Sequence, residues 1–194
     1  MSGKPAHHTL TVNGVTYYAV EAGTGPALLL LHGFTGSHVN WRDVLPTLAA
    51  DHRVIAVDLL GHGQTDAPAD PARYGMVHAA ADLVALMTAL DAEEFHLLGY
   101  SMGGRLALFT ALVYPARVRS LALESASPGL VGADERVARA GTDDALAASI
   151  VNDGMAAFVE RWEALPLFAS QARLPDAIRA RLRAQRLANN PTGL

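Results

Sequence analysis

The sequence contains no cysteine, which excludes disulfides and thiolate metal sites and is compatible with a reducing cytoplasm. It has no basic excess: 15 Lys and Arg stand against 19 Asp and Glu, for a net charge of -4. A basic face of the kind that binds nucleic acid is therefore not expected. No apolar run approaches the ~18 residues that a membrane-spanning helix needs. Met1 to Thr9 is short and polar and lacks the apolar core of a signal peptide. A cytoplasmic location, without a membrane partner, follows as an expectation. Histidine is missing from the second half of the chain, the last of the eight being His96.

What is present is enough apolar sequence for a sizeable core. With 194 residues, 51% of them hydrophobic, the chain is long enough for one domain and too apolar for disorder. Thr9–Val12 and Val15–Val20 flank Asn13-Gly14, a pair that tolerates φ > 0 and signals a β-hairpin. Ala27–Leu31 is uninterruptedly apolar, as expected of a strand covered on both faces. A helix is predicted near Asn40–Ala50, a strand over Arg53–Asp58, a loop over Gly61–Arg73 and a helix over Val77–Leu90. Then come a strand Phe95–Gly99, a helix from Met102 to about Val113 ending before Pro115, and a strand Val118–Leu123. Strand–helix alternation implies a mostly parallel sheet flanked by helices. Beyond Glu124 the pattern changes. Residues Glu135–Leu187 read as helices only, with turn signals at Gly141, Gly154, Pro166 and Pro175. A helical cap over residues 128–194, following an α/β core over 1–127, is the expected organisation.

The strongest chemical signal is Gly99-Tyr100-Ser101-Met102-Gly103, a G-x-S-x-G nucleophile elbow of the α/β-hydrolase fold. An apolar strand precedes it and a helix follows. The serine hydroxyl would project from a strained apex, and the glycines allow strand and helix to approach closely. The helix N-terminus adds backbone N–H groups and a positive dipole end beside the serine. His32-Gly33-Phe34 follows the third strand, where this fold places one oxyanion-hole amide; the residue after the nucleophile supplies the other. The hole is therefore assigned to the backbone of Phe34 and Met102. His32 itself is expected to bond the loop backbone. Asp58-Leu59-Leu60-Gly61-His62-Gly63 is expected to be scaffolding. Asp58 and His62 lack an evident third ligand for a metal, so no metal and no cofactor is implied.

In this fold the triad runs serine, acid, histidine along the chain. The base that accepts the serine proton must then lie after Ser101, and no histidine does. Glu124 closes the sixth strand, where some variants place the acid. The expectation is an α/β-hydrolase core lacking its last two strands, with an incomplete cap, inactive by itself. Its Val118–Leu123 strand would form an unprotected apolar edge and favour aggregation.

The sequence resembles the 2-succinyl-6-hydroxy-2,4-cyclohexadiene-1-carboxylate synthase family of the α/β-hydrolase superfamily. The generic stretches HGF, DLLGHG and GYSMGG are shared with many esterases and lyases. More specific are Gly103-Gly104-Arg105, the run Glu124–Leu130 (ESASPGL), Trp162–Phe168 (WEALPLF) and Arg186–Pro191 (RLANNP). The resemblance implies a lyase of menaquinone biosynthesis. Such an enzyme eliminates pyruvate through proton abstraction, with the developing oxyanion held by the two amides. It implies a small polycarboxylate as substrate, with Arg105, Arg139 and Arg186 as carboxylate-binding cations and Tyr100 and Trp162 shaping the pocket. From the residues themselves, Arg105 lies one helical turn after Ser101 and can face the same side. Guanidinium suits bidentate contact with carboxylate. Arg139 and Arg186 lie in Arg-rich helices, where a solvated face is the alternative, and Trp162 fits a cap core equally well.

Two other readings stay open. A serine carboxylesterase or C–C hydrolase would use the same elbow for an acyl-enzyme but has no need of three arginines. A noncatalytic module built on a decayed hydrolase fits the absent histidine but not the intact elbow. The sequence does not fix the oligomeric state.

Overall fold

In the computed structural model, which describes residues 4–194, the Asn13-Gly14 pair turns the chain at positive φ (48° and 78°) between β1 (Ala6–Val12) and β2 (Val15–Ala22). Residues 1–3 of the polar N-terminal stretch lie outside the described residues. The next strands are β3 (Ala27–Leu31), β4 (Arg53–Val57), β5 (Phe95–Tyr100) and β6 (Val118–Glu124). They form one sheet in the order β1-β2-β4-β3-β5-β6. The N-terminal hairpin and the β2–β4 pair are antiparallel; β3, β4, β5 and β6 pair in parallel.

The pleat sorts the apolar strands between two layers. Leu29, Leu31, Ile55 and Val57 point to one face, where α2 (Met76–Ala89) and α3 (Met102–Val113) cover them. Leu28, Leu30, Val54 and Ala56 point to the other, beneath Trp41, Leu45 and Leu48. Two-sided cover is why these strands are apolar throughout rather than alternating. In α2 the core positions Ala80, Leu83, Leu86 and Met87 follow helical spacing.

The helix expected over Asn40–Ala50 is broken in two. His38–Trp41 forms a 3-10 turn capped by Ser37, and only Leu45–Leu48 is α-helical (α1). Pro46 sits in the first turn of α1, and its ring and missing N–H prevent the preceding turn from running into the helix. A further 3-10 turn, Pro71–Tyr74, punctuates the loop after β4.

After β6 the chain is helical: α4 (Ala133–Glu163), a 3-10 segment Pro166–Arg173, and α5 (Asp176–Leu187). Gly141 makes no turn; it continues α4. The break comes instead at Gly154, whose φ of 81° and ψ of 167° kink the helix. An added Cβ at Gly154 would meet nothing within 4 Å, so backbone conformation rather than packing demands glycine there. Every residue from Ala133 to Ala145 is exposed, whereas Ile150, Phe158 and Val159 are buried. The second arm of α4, together with the last turns of the first around Ile150, therefore anchors this helical region, and the start of the first arm projects. At the far side of the sheet β6 is outermost. Leu123 on it, and Leu112 and Val113 on the adjacent α3, are exposed apolar side chains, as expected of an open edge. Among the described residues no helix is long and apolar enough to cross a membrane.

One buried carboxylate ties the hairpin to the helical layer. Asp82 on α2 accepts hydrogen bonds from the Tyr17 hydroxyl at 2.6 Å, the Asn13 amide at 2.9 Å and the Arg73 guanidinium at 2.6 Å. Burial first, then the Asp82 hydrogen bond, pushes the Tyr17 phenol well above its usual range. Removing one partner of a buried ion pair leaves the other charge uncompensated. Asp82→Ala is therefore expected to destabilise the fold by about 3 kcal/mol, and Tyr17→Phe by about 1 kcal/mol. Urea unfolding of the two variants measures both values and their order.

Candidate functional site

Strand β5 ends at Tyr100 and α3 begins at Met102, leaving Ser101 alone to make the turn, at φ 52° and ψ -113°. A side chain in that region costs about 1–3 kcal/mol. Close packing on both sides imposes it. A Cβ at Gly99 would stand 2.5 Å from the Gly103 carbonyl oxygen, and one at Gly103 would stand 2.4 Å from that of His32. The Ser101 N–H donates to Glu124 O at 2.9 Å, and Ser101 O accepts from the Arg105 N–H at 3.1 Å. Ser101 is half-buried.

The loop after β3 runs directly past this serine. A Cβ at Gly33 would lie 2.9 Å from the Tyr100 ring and 3.3 Å from Ser101 Cβ. Among the described residues, neither the Phe34 nor the Met102 backbone N–H has a hydrogen-bond acceptor in the protein. Two free donors flanking a serine can receive an oxygen that gains negative charge.

His32 holds the loop in place and is not free to act as a base. Its Nε2 accepts from the Leu59 N–H at 2.9 Å, so the proton sits on Nδ1, which donates to Gly33 O at 2.8 Å. Burial, reinforced by neighbouring His62, pushes the His32 pKa down to about 3. His62 is also held neutral by burial, and its Nδ1 donates to Leu60 O at 3.0 Å. Buried Asp58 accepts from the His38 ring at 2.8 Å, the His38 N–H at 2.6 Å and the Gln64 N–H at 2.9 Å. Burial works against that carboxylate, but these hydrogen bonds outweigh it and hold its pKa below the usual range. Asp58 thus braces the loop carrying His38.

The structure brings Tyr100, Ser101, Met102 and the Gly33–Phe34 loop together, and it adds Trp162 from the cap. The Trp162 ring meets Phe34 edge-on at 5.4 Å and lies 5.6 Å from Phe168. Among the described residues its indole N–H is buried without a partner. The three arginines have separate surroundings. Arg105 is exposed on α3, and among the described residues it makes no ion pair. Arg139 projects on the exposed arm of α4, paired with Asp143 at 2.8 Å. Arg186 is buried, bonded to Glu163 at 2.8 Å and Gln171 at 3.0 Å, with its guanidinium 5.0 Å from the Phe168 ring centre. The cavity it lines contains none of Tyr100, Ser101 or Arg105 in its wall. Sequence reasoning did not single out the partners of Arg186. Glu163 and Phe168 lie within the WEALPLF stretch, but their pairing with α5 is a long-range contact that spacing does not reveal. The His38–Asp58 pair was missed for the same reason.

The model of the α/β-hydrolase fold family matches residues 26–192. A Bacillus subtilis protein named as a candidate 2-succinyl-6-hydroxy-2,4-cyclohexadiene-1-carboxylate synthase is 47% identical over 189 residues, covering 95% of this chain and 68% of that protein. Epoxide hydrolase 3 of Siraitia grosvenorii is 39% identical over 116 residues, which are 59% of this chain and 37% of its own length. Among solved structures, MenH from S. aureus superposes with a TM-score of 0.84 at 33% identity, over 91% of this chain and 67% of that one. The chain thus spans about two thirds of the Bacillus subtilis protein and of MenH, and well under half of the epoxide hydrolase.

Two outcomes test this site. Glycine at position 101 would relax the bend, so Ser101→Gly is expected to stabilise the fold by about 1 kcal/mol and Ser101→Ala to leave it unchanged; thermal unfolding compares them. The second concerns pH. The unfolded chain protonates His32 near pH 6.5, whereas the folded chain resists until about pH 3. The stability His32 contributes is whole above pH 6.5 and declines as pH falls towards 3, by at most about 1.4 kcal/mol per pH unit. His62 acts in the same direction. The Asp58 contribution is present above the unfolded carboxylate pKa and is lost only as pH falls through the lower folded value. Urea midpoints should drop from pH 7 to pH 5, and His32→Asn should flatten that slope.

Proposed function

The chain belongs to the α/β-hydrolase family, and from that premise we propose that it carries the serine and oxyanion elements of a carbon–oxygen lyase. The reaction is elimination of pyruvate from 2-succinyl-5-enolpyruvyl-6-hydroxy-3-cyclohexene-1-carboxylate, in menaquinone biosynthesis. The observation that supports this reading is the bend at Ser101, flanked by two amides with no acceptor among the described residues, in a chain 47% identical over 95% of its length to a candidate enzyme of that type.

The proposed chemistry uses that geometry. A base removes the ring proton activated by the succinyl carbonyl, with Ser101 passing it on. The electrons of the broken C–H bond move onto the carbonyl oxygen, where the Phe34 and Met102 amides hold the developing charge. Collapse of that enolate forms a double bond between ring carbons 2 and 3, shifts the existing 3,4 double bond to carbons 4 and 5, and breaks the bond from carbon 5 to the enolpyruvyl oxygen. The departing enolate takes up a proton to become pyruvate. Arg105, one turn from Ser101, contributes a cation for a substrate carboxylate. Tyr100 and Trp162 line the approach, Arg139 and Arg186 are the cap-side cations, and the overall net charge of -4 leaves attraction of an anion to these local groups.

Ser101 needs a base, and the eight histidines all precede it. His32 and His62 commit ring nitrogens to the loop backbone. The 194-residue chain alone is therefore expected to release no pyruvate above the uncatalysed rate, read through lactate dehydrogenase and NADH. Release that depends on Ser101 would refute that expectation. The same bend and amides would serve acyl transfer in a carboxylesterase or C–C hydrolase, and binding separates the readings. The chain is expected to bind 2-succinylbenzoate with a change in tryptophan fluorescence, and Arg105→Gln is expected to weaken it about tenfold. Preference for a neutral ester would favour the esterase, and binding of neither would favour a noncatalytic module.

A further inference from the structure

Arg186 differs from the other two candidate arginines because it is buried and held from three sides. Glu163 Oε1 accepts from its Nη1 at 2.8 Å, Gln171 Oε1 accepts from its Nη2 at 3.0 Å, and the Phe168 ring lies 5.0 Å from its carbon centre. The second Glu163 oxygen accepts from Arg183, one turn earlier on α5. A cavity of about 400 Å³ opens beside this cluster, lined by Glu163, Phe168, Gln171, Arg179, Arg183 and Arg186 among others.

We propose that Glu163 is a positioning residue for anion recognition: it fixes the Arg186 guanidinium in one plane, so that the donors left free meet a ligand carboxylate in bidentate form. This rests on the polycarboxylate reading above and adds to it the residue that sets the geometry of the cap-side cation. A guanidinium has five donors in a rigid fork, which two bonds do not exhaust. Its direction is otherwise set by a flexible stem, and an anion binding to an unheld arginine must first order it. Here that ordering is done beforehand. One carboxylate shared between two guanidiniums also leaves the cluster with a net positive charge while no buried cation stands uncompensated. The position of Glu163 directly after Trp162 gives the brace its reach. Trp162 lies against Phe34 and against Phe168, whose ring meets Arg186, so a chain of aromatic contacts joins the end of α4 and the braced cation to the loop beside Ser101.

A purely mechanical role, stapling α4 to α5, is the competing account, and Arg183→Gln separates the two. It removes the Arg183–Glu163 ion pair just as Glu163→Gln does, but it leaves the Arg186 contact intact. Two readouts are taken on the 194-residue chain: the Arg186 Nε–H signal in nitrogen-15 NMR, and the dissociation constant of succinate. The wild type and Arg183→Gln are expected to show a sharp Arg186 signal distinct from the exposed arginines, and Glu163→Gln an averaged one. Succinate binding should weaken about tenfold in Glu163→Gln, although that change removes a negative charge from the cavity wall, and by only about threefold in Arg183→Gln, which removes one of the cavity's positive charges but not the brace. Equal losses in both variants would establish the staple and overturn the proposal. Tighter binding in Glu163→Gln would show that Glu163 competes with the ligand and would overturn it too. An averaged Arg186 signal in the wild type would refute the brace itself. A fixed signal without succinate binding would instead refute the polycarboxylate reading, and with it the role in recognition.

Discussion

A serine held at φ 52° and ψ -113° is in a conformation the chain would leave if it could. It stays because β5 and α3 approach more closely than side chains allow, with no room for a Cβ at Gly99 or Gly103. Those contacts fix where α3 starts. The start of α3 in turn fixes the direction of the Met102 amide and the position of Arg105. The third strand delivers the Gly33–Phe34 loop to the same point because β3 and β5 are parallel neighbours, with Leu31 opposite Gly99. The site is thus a consequence of two adjacent parallel strands ending together, which is where open α/β sheets place their ligands.

Much of this was legible in the sequence because it is local. The Asn13-Gly14 hairpin, the doubly covered Ala27–Leu31 strand and the helix Met102–Val113 all rest on signals within a few residues. So does the bend at Ser101. Where the expectation failed, a single residue with competing meanings was responsible. Pro46 reads as compatible with a helix start, yet it also prevents one helix from covering Asn40–Ala50. Gly141 and Gly154 look alike in sequence, but only Gly154 takes a conformation closed to other residues. The partners of buried charges were not legible. Asp58 with His38, Asp82 with Tyr17 and Arg73, and Glu163 with Arg186 join segments separated in sequence. Only the fold brings them together.

The three arginines show how little residue type says about availability. Arg139 is exposed and shares its charge with Asp143 one turn away, an arrangement worth a few tenths of a kcal/mol in water. Arg105 is exposed and, among the described residues, without a countercharge. Only Arg186 is desolvated, and in a low-dielectric setting a cation interacts more strongly with whatever anion reaches it. Its burial would be costly without Glu163, Gln171 and Phe168. The cap therefore invests its polar contacts in one cation and leaves another on a projecting arm.

Phe34 joins the two halves of the molecule. Its backbone N–H is one of the free donors beside Ser101, while its ring packs against Phe158 and Trp162 of the cap. Asn189, near the end of α5, donates to Thr35 O at 3.0 Å in the same loop. A shift of the cap must therefore either break these contacts or carry the loop with it, because a close-packed interface does not deform smoothly. His32 resists the second course by pinning the loop to Leu59. The amide that would meet a developing oxyanion is thus held between a neutral buried imidazole on the sheet side and an aromatic cluster on the cap side. Substitutions in the cap core at Phe158 or Trp162 should accordingly be felt at Ser101.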